Sequence, residues 1–384
     1  MRDGVVTRLE IDLDALRDNY RAVIDLVSPA EVVAVVKSEA YGHGAVPIAR
    51  HLQEFGGCRQ FAVATVAEGI QLRRNGIAGA VDIMGGTLPA EFAAMAEYGL
   101  TPTHAHCEDL LAWAHLARAL GERLPYQLKV DVGLGRMGFL PDRGEEIARL
   151  VLSLDDDIDL LGIGSHLSHP AGCEAHNREE FERFQEFCAP FLDAFPSLHR
   201  HLAASQAAVR FRSMHLDRVR IGGLLYGLNH IRPAPLSLKP VMAYRSALIQ
   251  VKTLPTGWWI GYNQVHRVTE PVRIGVIPLG WTDGLSSYHV GSGYLLVGSQ
   301  PCAILGTCTD FAMLDLSAVP DAEAGDEVVL IGHQGDAYLG AIELGRAAGM
   351  STGQLLGKIS LRVPRLFFAG GHCVAELSII HGGA

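Results

Sequence analysis

Long hydrophobic runs, an excess of positive charge and paired cysteines are all missing from this sequence of 384 residues. No apolar stretch approaches the roughly 20 residues that a membrane-spanning helix needs. The net charge of −10 argues against nucleic acid as a partner, because the phosphate backbone requires a basic surface. The seven cysteines include no C-x-x-C pair, which argues against a zinc ribbon or a disulfide framework and favours a reducing compartment.

Two further signals are absent near the N-terminus. The segment MRDGVVTRLEIDLDALRDNY has no apolar core of the kind found in signal peptides, so we expect a cytoplasmic protein. The first strongly apolar run leads into KSEAYGHG, which is not the G-x-G-x-x-G fingerprint of a dinucleotide-binding, doubly wound sheet. An open sheet of that kind is therefore not favoured.

Short apolar runs that alternate with amphipathic stretches predict β/α units around a parallel sheet. We predict strands at residues 32–36, 61–66, 81–85, 101–105, 126–132, 159–166, 199–204 and 218–222. Eight strands of this kind close a barrel. After Pro233 and Pro235 the pattern changes to short alternating runs broken by glycine and proline, which predicts an all-β domain.

The expected fold class is thus α/β, with a TIM-type β/α-barrel followed by a β-rich domain. We place the barrel in residues 13–235 and the second domain in residues 236–384. Residues 1–12 contain a strand that we expect to join the second domain.

Lys37 follows the first barrel strand directly, at the carboxyl end where barrel enzymes build their active sites. Burial there lowers the pKa of a lysine, and the free amine can form a Schiff base with an aldehyde cofactor. For Lys37 alone, a side chain that extends out of the barrel mouth into solvent is the simpler interpretation. The residues predicted around it favour the functional interpretation, in which Lys37 forms the Schiff base.

Further polar residues fall at or just after the carboxyl ends of the later predicted strands, and together they indicate a site for an anionic ligand. They are Lys129, Arg136, His166, His201 and Arg220. Gly222 and Gly223 follow the last strand, where barrels often bind phosphate through open backbone N–H groups. Ser205 and Tyr41 offer additional hydroxyl groups.

Several blocks occur in an order that resembles the alanine racemases, the fold-type III family of pyridoxal-phosphate enzymes, over nearly the whole chain. These blocks are VVKSEAYGHG, LKVDVGLGRMGF, GSHLSHP, VRIGGLLYG, IGYN, IPLGWTDG, TDFAMLD and RVPR. The resemblance implies an amino-acid racemase with pyridoxal 5′-phosphate as cofactor. It also implies a homodimer with shared active sites, each of which takes Tyr262 from the partner subunit.

The resemblance further implies individual roles. Lys37 binds the cofactor and acts as one base, while Tyr262 acts as the other on the opposite face. Arg136 contacts the phenolic oxygen of the cofactor and the substrate carboxylate, and Lys129 matches a lysine that can be carbamylated to orient this arginine. Arg220 faces the pyridine nitrogen. The other implied cofactor contacts are Tyr41, Ser205, Gly222 and Gly223 at the phosphate, His166 near the ring, and His201 as support for Arg220.

Some positions depart from the family pattern, mostly where substrate or phosphate would lie. They are Asn263, Thr309, Trp281, Phe367 and Ala204. Trp281 and Thr309 would contact the substrate in this interpretation, and Phe367 lacks a hydroxyl group that the family places at the phosphate. We hypothesise that the substrate range extends beyond alanine, for example to a serine-like amino acid.

Three alternatives remain at this stage. A decarboxylase of the same barrel group would share the cofactor and differ in the bond that is cleaved. A zinc-dependent lyase would need ligands from His104, His106 and Cys107 or from His372 and Cys373, whose spacing is unconvincing. A regulatory homologue would bind the cofactor through Lys37 without efficient turnover.

Overall fold

The structure, a computed structural model, describes residues 5–229 and 236–378. The chain divides into two compact units. The barrel unit comprises Arg17–Ala40 and Ile48–Leu238, and the sheet unit comprises Met1–Leu16, Tyr41–Pro47 and Lys239–Ala384. Pro233 and Pro235 lie outside the described residues, so the boundary predicted there stays a prediction, as does the division into residues 1–12, 13–235 and 236–384.

Strand β1 (Arg8–Asp12) belongs to the sheet unit. Among the described residues, the barrel unit contains eight strands: β2 (Glu31–Val35), β3 (Gln60–Val63), β4 (Ala80–Ile83), β5 (Thr101–His104), β6 (Leu124–Lys129), β7 (Ile158–Gly164), β8 (His199–His201) and β9 (Arg218–Ile221). All pair in parallel, in the order β9-β2-β3-β4-β5-β6-β7-β8. The ring is closed by a bridge between Ala204 and Arg220 and by the hydrogen bond from Arg220 N to Ala203 O, 3.0 Å. The predicted β/α-barrel is confirmed.

Helices follow these strands as the sequence predicts. They are α1 (Leu13–Val27), α2 (Lys37–Gly42), α3 (Ala45–Gly56), α4 (Val66–Arg74), α5 (Pro89–Glu97), α6 (Cys107–Leu120), α7 (Gly144–Leu152), α8 (Glu174–Leu192) and α9 (Ser205–Arg210). Their ends have local causes: Thr65 and Glu68 form a capping box at α4, and Gly121 ends α6 in the left-handed conformation. No helix in the described part of the chain is long and apolar enough to span a membrane.

One face of the barrel sheet is unusually polar. Barrel interiors are mostly filled by branched apolar side chains. Here the buried residues of the strands include Asp82, Gln127, Lys129, His201 and Arg220. Strand register puts Thr103 beside Gln127, and Lys129 and His201 on either side of Gly164, so that these positions share one face. Buried polar groups need partners, and this face therefore marks the candidate site.

The sheet unit contains β1 and twelve further described strands: β10 (Met242–Ala247), β11 (Gln250–Leu254), β12 (Trp259–Ile260), β13 (His266–Arg267), β14 (Val272–Ile277), β15 (Tyr294–Val297), β16 (Gln300–Thr307), β17 (Ala312–Asp315), β18 (Glu327–Gln334), β19 (Ala337–Leu339), β20 (Arg365–Ala369) and β21 (His372–Leu377). The main sheet runs β11-β14-β17-β16-β15-β18-β10-β1-β20-β21, with β19 beside β18. Two short helices, α10 (Ala341–Ala347) and α11 (Thr352–Leu356), also occur. The predicted β-rich second domain is confirmed.

Candidate active site

Lys37 begins helix α2 directly after strand β2 and is half-buried. Burial lowers the pKa of its amine, and the positive charges of Arg136 and Arg220 lower it further against the opposing effect of Glu68. A larger fraction of the amine is therefore unprotonated than in an exposed lysine. This is the form that attacks an aldehyde.

The turn after Lys37 is left-handed, which the sequence did not predict. Ser38, Glu39, Ala40 and Tyr41 have φ angles of 53°, 53°, 52° and 56°. Each non-glycine residue in this conformation costs about 1–2 kcal/mol, so tertiary contacts must hold the turn. One such contact is the hydrogen bond from Ser38 N to Glu68 Oε1, 2.6 Å, which ties the turn to helix α4.

Arg220 is buried and held by acceptors from neighbouring strand ends. Its Nη1 donates to His201 Nδ1 and His201 O, and its Nη2 donates to the carbonyl oxygens of Ser165 and Leu202 at 2.5 and 2.9 Å. Burial lowers its pKa to about 10, with Asp82 acting in the opposite direction, so the group stays charged near neutral pH. Among the described residues, its Nε–H has no acceptor and remains available to a ligand.

His201 is a neutral imidazole with a defined tautomer. Arg220 can only donate, so His201 Nδ1 must accept and Nε2 must carry the proton. Nε2 lies 2.6 Å from Gln127 Oε1, and Asp82 lies on the same face of the barrel sheet as Gln127. Burial, followed by the charge of Arg220, holds the pKa of His201 well below its usual value. Neither Gln127 nor Asp82 was among the predicted site residues.

Lys129 and His166 lie in the same positively charged surroundings. Burial, then Arg220 and Arg136, places the pKa of Lys129 well below its usual value. Burial, then Arg220, lowers the pKa of His166 to about 3. The region therefore favours an anionic ligand, and a neutral Lys129 amine is the form that carbamylation requires. Carbamylation itself stays a prediction.

Asp131 organises the loop that presents Arg136. Its carboxylate accepts backbone N–H groups from Gly133, Gly135 and Arg136 at 2.7–3.1 Å. Burial acts to raise the pKa of Asp131, but these hydrogen bonds outweigh it and the pKa is lowered. Asp131 is thus a further residue that the sequence prediction missed, although its place two residues after Lys129 is visible in the sequence.

Ser205 and the two glycines lie together after strands β8 and β9. Gly222 N donates to Ser205 Oγ at 3.1 Å, so this N–H is engaged within the chain, whereas the sequence predicted it to be open. Gly223 begins a 3-10 turn that ends at Tyr226. Helix α9 begins at Ser205, directly after Ala204.

A second group of predicted residues lies in the sheet unit. Tyr262 is 57% exposed, and its ring centroid is 5.7 Å from that of Trp281. Trp281 Nε1 donates to Thr307 Oγ1 at 2.9 Å. Asn263 has a φ of 57°, which asparagine tolerates better than most residues. Tyr262 and Trp281 therefore form a pair on an exposed surface.

Arg362 holds together the two loops that carry Trp281 and Thr309. Its Nε and Nη2 donate to Asp283 at 2.7 and 2.6 Å, and its Nη1 donates to Asp310 at 2.7 Å. Asp283 is buried and also accepts Gly280 N at 3.0 Å. These hydrogen bonds raise the pKa of Arg362 above its usual value, Asp283 first. The arginine was visible in RVPR, but its role was not.

Tyr41 and Phe367 also belong to the sheet unit, and burial raises the pKa of Tyr41. Phe367 is fully buried, and a Cβ atom added at Gly44 would lie 2.8 Å from its Cζ. The ring therefore occupies space that the absent side chain of Gly44 leaves open.

The residues of the zinc alternative are placed differently. His104 is buried among the rings of Phe92, Trp113 and Tyr126, and burial lowers its pKa to about 3. No group of three or more potential metal ligands occurs in residues 5–229 or 236–378. His104 is thus a core histidine.

Comparison with known proteins gives matches over nearly the whole chain. The family described as alanine racemase, N-terminal domain, matches residues 11–230, and alanine racemase, C-terminal domain, matches residues 241–367. An alanine racemase of Carboxydothermus hydrogenoformans is 34% identical over 93% of this chain and 98% of its own length. One of Halothermothrix orenii is 32% identical over 94% and 96%.

Solved structures agree with these matches. An alanine racemase of Clostridium difficile superposes with a TM-score of 0.91 at 27% identity, covering 98% of this chain and 99% of its own. An alanine racemase of Bacillus anthracis with bound L-Ala-P gives a TM-score of 0.90 at 28% identity, covering 99% and 100%.

Proposed function

This chain belongs to the alanine racemase family, and from that membership we propose that it interconverts L- and D-alanine with pyridoxal 5′-phosphate held at Lys37. A pyridoxal-phosphate-dependent amino-acid racemase, an isomerase, is the function that the relatives support. The decarboxylase and regulatory alternatives gain no support from these relatives. The observation that carries the proposal to residue level is Arg220, whose Nη groups are fully engaged beside Lys37 while its Nε–H is left for a ligand.

The residues of the barrel unit fit this cofactor. Lys37 supplies an amine of lowered pKa for the aldehyde group, and the positive field around Arg136, Lys129 and Arg220 suits the phosphate and the phenolic oxygen. The free Nε–H of Arg220 suits the pyridine nitrogen. We assign the phosphate to Ser205 and Gly223, with the Gly222 N–H holding Ser205 in place, the ring side to His166, and the support of Arg220 to His201.

When bound, the cofactor withdraws electrons from Cα of the amino acid and makes its proton acidic. We propose that Lys37 takes or returns this proton on one face and that Tyr262 does so on the other. Racemisation requires this arrangement, because a proton removed from one side must be returned on the opposite side. Arg136 binds the substrate carboxylate, and carbamylated Lys129 orients this arginine.

Arg220 limits the reaction to proton transfer. A guanidinium donates a hydrogen bond without giving up its proton, so a ring nitrogen held by the Arg220 Nε–H would stay unprotonated. The electron-withdrawing power at Cα would then be smaller than with a carboxylic acid in this place, and side reactions would be suppressed.

We further propose a homodimer in which each active site takes Tyr262 from the partner subunit. Tyr262 is 57% exposed within one chain, although an acid–base group works best where water is excluded. Trp258, Trp259, Val265 and Trp281 are also exposed, and together they offer an apolar surface for a second copy of this chain. All seven cysteines are free, which suits our proposal of a cytoplasmic protein.

Complementation tests the shared site. Chains carrying Lys37→Ala or Tyr262→Phe are each expected to be nearly inactive. Mixed and refolded together, they should regain about a quarter of the wild-type activity, because half of the dimers are mixed and each mixed dimer has one intact site. No recovery on mixing would exclude Tyr262 of the partner subunit as a contributor.

Deuterium incorporation at Cα in heavy water tests the reaction and the substrate together. We expect both enantiomers of alanine to incorporate deuterium at Cα and to interconvert. The same exchange is measured for a panel of other amino acids. Serine-like substrates that match alanine would support the wider range suggested by Trp281 and Thr309, whereas alanine faster by orders of magnitude would exclude it. Carbon dioxide release without exchange would overturn the racemase.

A further inference from the structure

The left-handed turn after Lys37 is held by two side chains of helix α4. Ser38 N donates to Glu68 Oε1 at 2.6 Å, and Gln71 Nε2 donates to Glu39 Oε1 at 3.0 Å. Glu68 and Gln71 are three residues apart on one helix, so they lie on the same side of it. Two successive residues of the turn are thus tied to one face of α4. We call these two hydrogen bonds the α4 clamp.

The two carboxylate oxygens of Glu68 have different partners. Oε2 accepts the backbone N–H groups of Ala64 and Thr65 at 2.7 and 3.0 Å, which completes the capping box at the start of α4. Oε1 accepts the N–H of Ser38, which a capping box does not require. Because an ionised carboxylate accepts on both oxygens at once, one side chain joins the segments that follow the adjacent strands β2 and β3. The bond to Ser38 is therefore additional to the start of the helix.

The α4 clamp acts where the backbone is strained. Ser38, Glu39 and Ala40 have φ angles of 53°, 53° and 52°. A left-handed conformation is unfavourable for residues other than glycine, so the turn persists only while its contacts hold it. Lys37 directly precedes these three residues. A relaxed turn would therefore change the direction of the Lys37 side chain and the exposure of its amine.

The exposure and the charged surroundings of the Lys37 amine can be separated. Burial, then Arg136, lowers the pKa of Lys37, Arg220 acts in the same direction, and Glu68 acts in the opposite one. A turn that opens would bring more water to the amine and raise its pKa toward the ordinary value, provided that the charge of Glu68 is kept. The pKa of Lys37 thus reports the state of the turn.

We propose that Glu68 and Gln71 are positioning residues, which hold the turn through the α4 clamp and thereby fix the place of the Lys37 amine. Neither side chain contacts the substrate or the reacting atoms in this proposal, which rests on the role of Lys37 proposed above. A turn that is already held leaves less ordering for the cofactor to supply when it binds.

Two variants weaken the α4 clamp without removing a charge. Glu68→Asp is one methylene group shorter, so its carboxylate can no longer reach both the start of α4 and Ser38. Gln71→Leu removes the other hydrogen bond. Thr65→Ala is the control, because it removes the hydrogen bond from Glu68 N to Thr65 Oγ1 in the capping box and leaves the clamp intact. Thermal unfolding of all three variants reports whether each is folded.

The first readout is the pH dependence of Lys37 acetylation by acetic anhydride in the cofactor-free protein, measured by mass spectrometry against the exposed Lys252. Only the neutral amine reacts, so the midpoint reports the pKa of Lys37. We expect the midpoint to rise in Glu68→Asp and Gln71→Leu and to stay unchanged in Thr65→Ala. An unchanged or lower midpoint in both clamp variants would overturn the proposal. This measurement needs neither cofactor nor substrate, so it tests the clamp even if the proposed racemase activity is wrong.

The second readout is the affinity for pyridoxal 5′-phosphate, from the absorbance of the lysine-bound form. We expect Kd to rise about 10-fold in each clamp variant, near the lower end of what one hydrogen bond to a charged group contributes. For Cα exchange by the loaded enzyme, kcat should fall with little change in KM, because the base is displaced while Arg136 still binds the substrate carboxylate. An equal rise of Kd in Thr65→Ala would assign the effect to helix α4 as a whole and overturn the proposal.

Discussion

The two groups of site residues are held in opposite ways. In the barrel unit, His201 and Arg220 are buried and fixed by hydrogen bonds from several strands, and Lys129 is buried on the same face. In the sheet unit, Tyr262 and Trp281 are 57% and 40% exposed and are held mainly by loop contacts. The barrel group is thus enclosed by its own chain, while the second group is open to solvent in a single chain. We therefore assign cofactor binding and one proton transfer to the buried group, and the other proton transfer to the exposed group.

Lys37→Ala should have the largest effect on the barrel group. We expect Cα exchange to fall by more than about 10⁴-fold, because covalent attachment and one proton-transfer group are lost together. The visible absorbance of the lysine-bound cofactor should also disappear. Lys252→Ala, an exposed lysine of β11, serves as the matched control. Retention of the absorbance in Lys37→Ala would contradict the assignment.

Tyr262→Phe tests the exposed group in the same assay. We expect exchange to fall by about 10²–10⁴-fold, the usual contribution of one acid–base group, while the cofactor absorbance is kept. The loss should be greater for the enantiomer whose proton Tyr262 removes. Tyr288→Phe, which alters an exposed tyrosine of the same unit, should be silent. If Tyr262→Phe lost as much cofactor binding as Lys37→Ala, the contrast between the exposed group and the barrel group would be wrong.

Arg362→Met should loosen the loops of Trp281 and Thr309 without touching the barrel group. Asp283 would keep a buried charge without its partner, and we expect the free energy of unfolding to fall by about 2–3 kcal/mol, less than for a fully buried pair because Arg362 is partly exposed. The KM for alanine should rise more than kcat falls. Arg178→Met, which removes the exposed pair of Arg178 with Glu174, should change unfolding by less than about 0.5 kcal/mol. A fall in kcat alone would argue against a role in loop position.

Phe367→Tyr should have the smallest effect. If the restored hydroxyl group meets the phosphate, cofactor dissociation should slow by about 10-fold, near the lower end of what one hydrogen bond to a charged group contributes. Phe368→Tyr, which alters the neighbouring and more exposed position of β20, is the control. A variant that unfolds more easily with unchanged cofactor release would mean that the hydroxyl is buried without a partner.

The fold could be predicted from the sequence because its signals are local. Most barrel strands are short apolar runs, and some helices between them carry capping signals, such as the capping box of Thr65 and Glu68. The second domain was indicated by a change in periodicity. Such patterns depend on neighbours within a few residues, which the sequence displays directly.

The candidate site could be predicted only where a residue lies at or after the carboxyl end of a strand. Lys37, Arg136 and Arg220 satisfy that rule. Asp82 and Gln127 do not, since each is a single polar residue inside a buried strand, and His201, the partner of Gln127, is 74 residues away in the chain. The left-handed turn of residues 38–41 was also missed, because Ser, Glu, Ala and Tyr have no preference for positive φ.

That left-handed turn also bears on the order in which the holoenzyme assembles. A backbone held against its own preference is the first to open when its restraints weaken, so residues 38–41 should exchange their amide hydrogens faster than the flanking strand β2 in the cofactor-free protein. Cofactor bound at Lys37 would close the same segment. The turn would then become fully ordered only when the cofactor is bound. Slower amide hydrogen exchange at these four residues would therefore report cofactor binding.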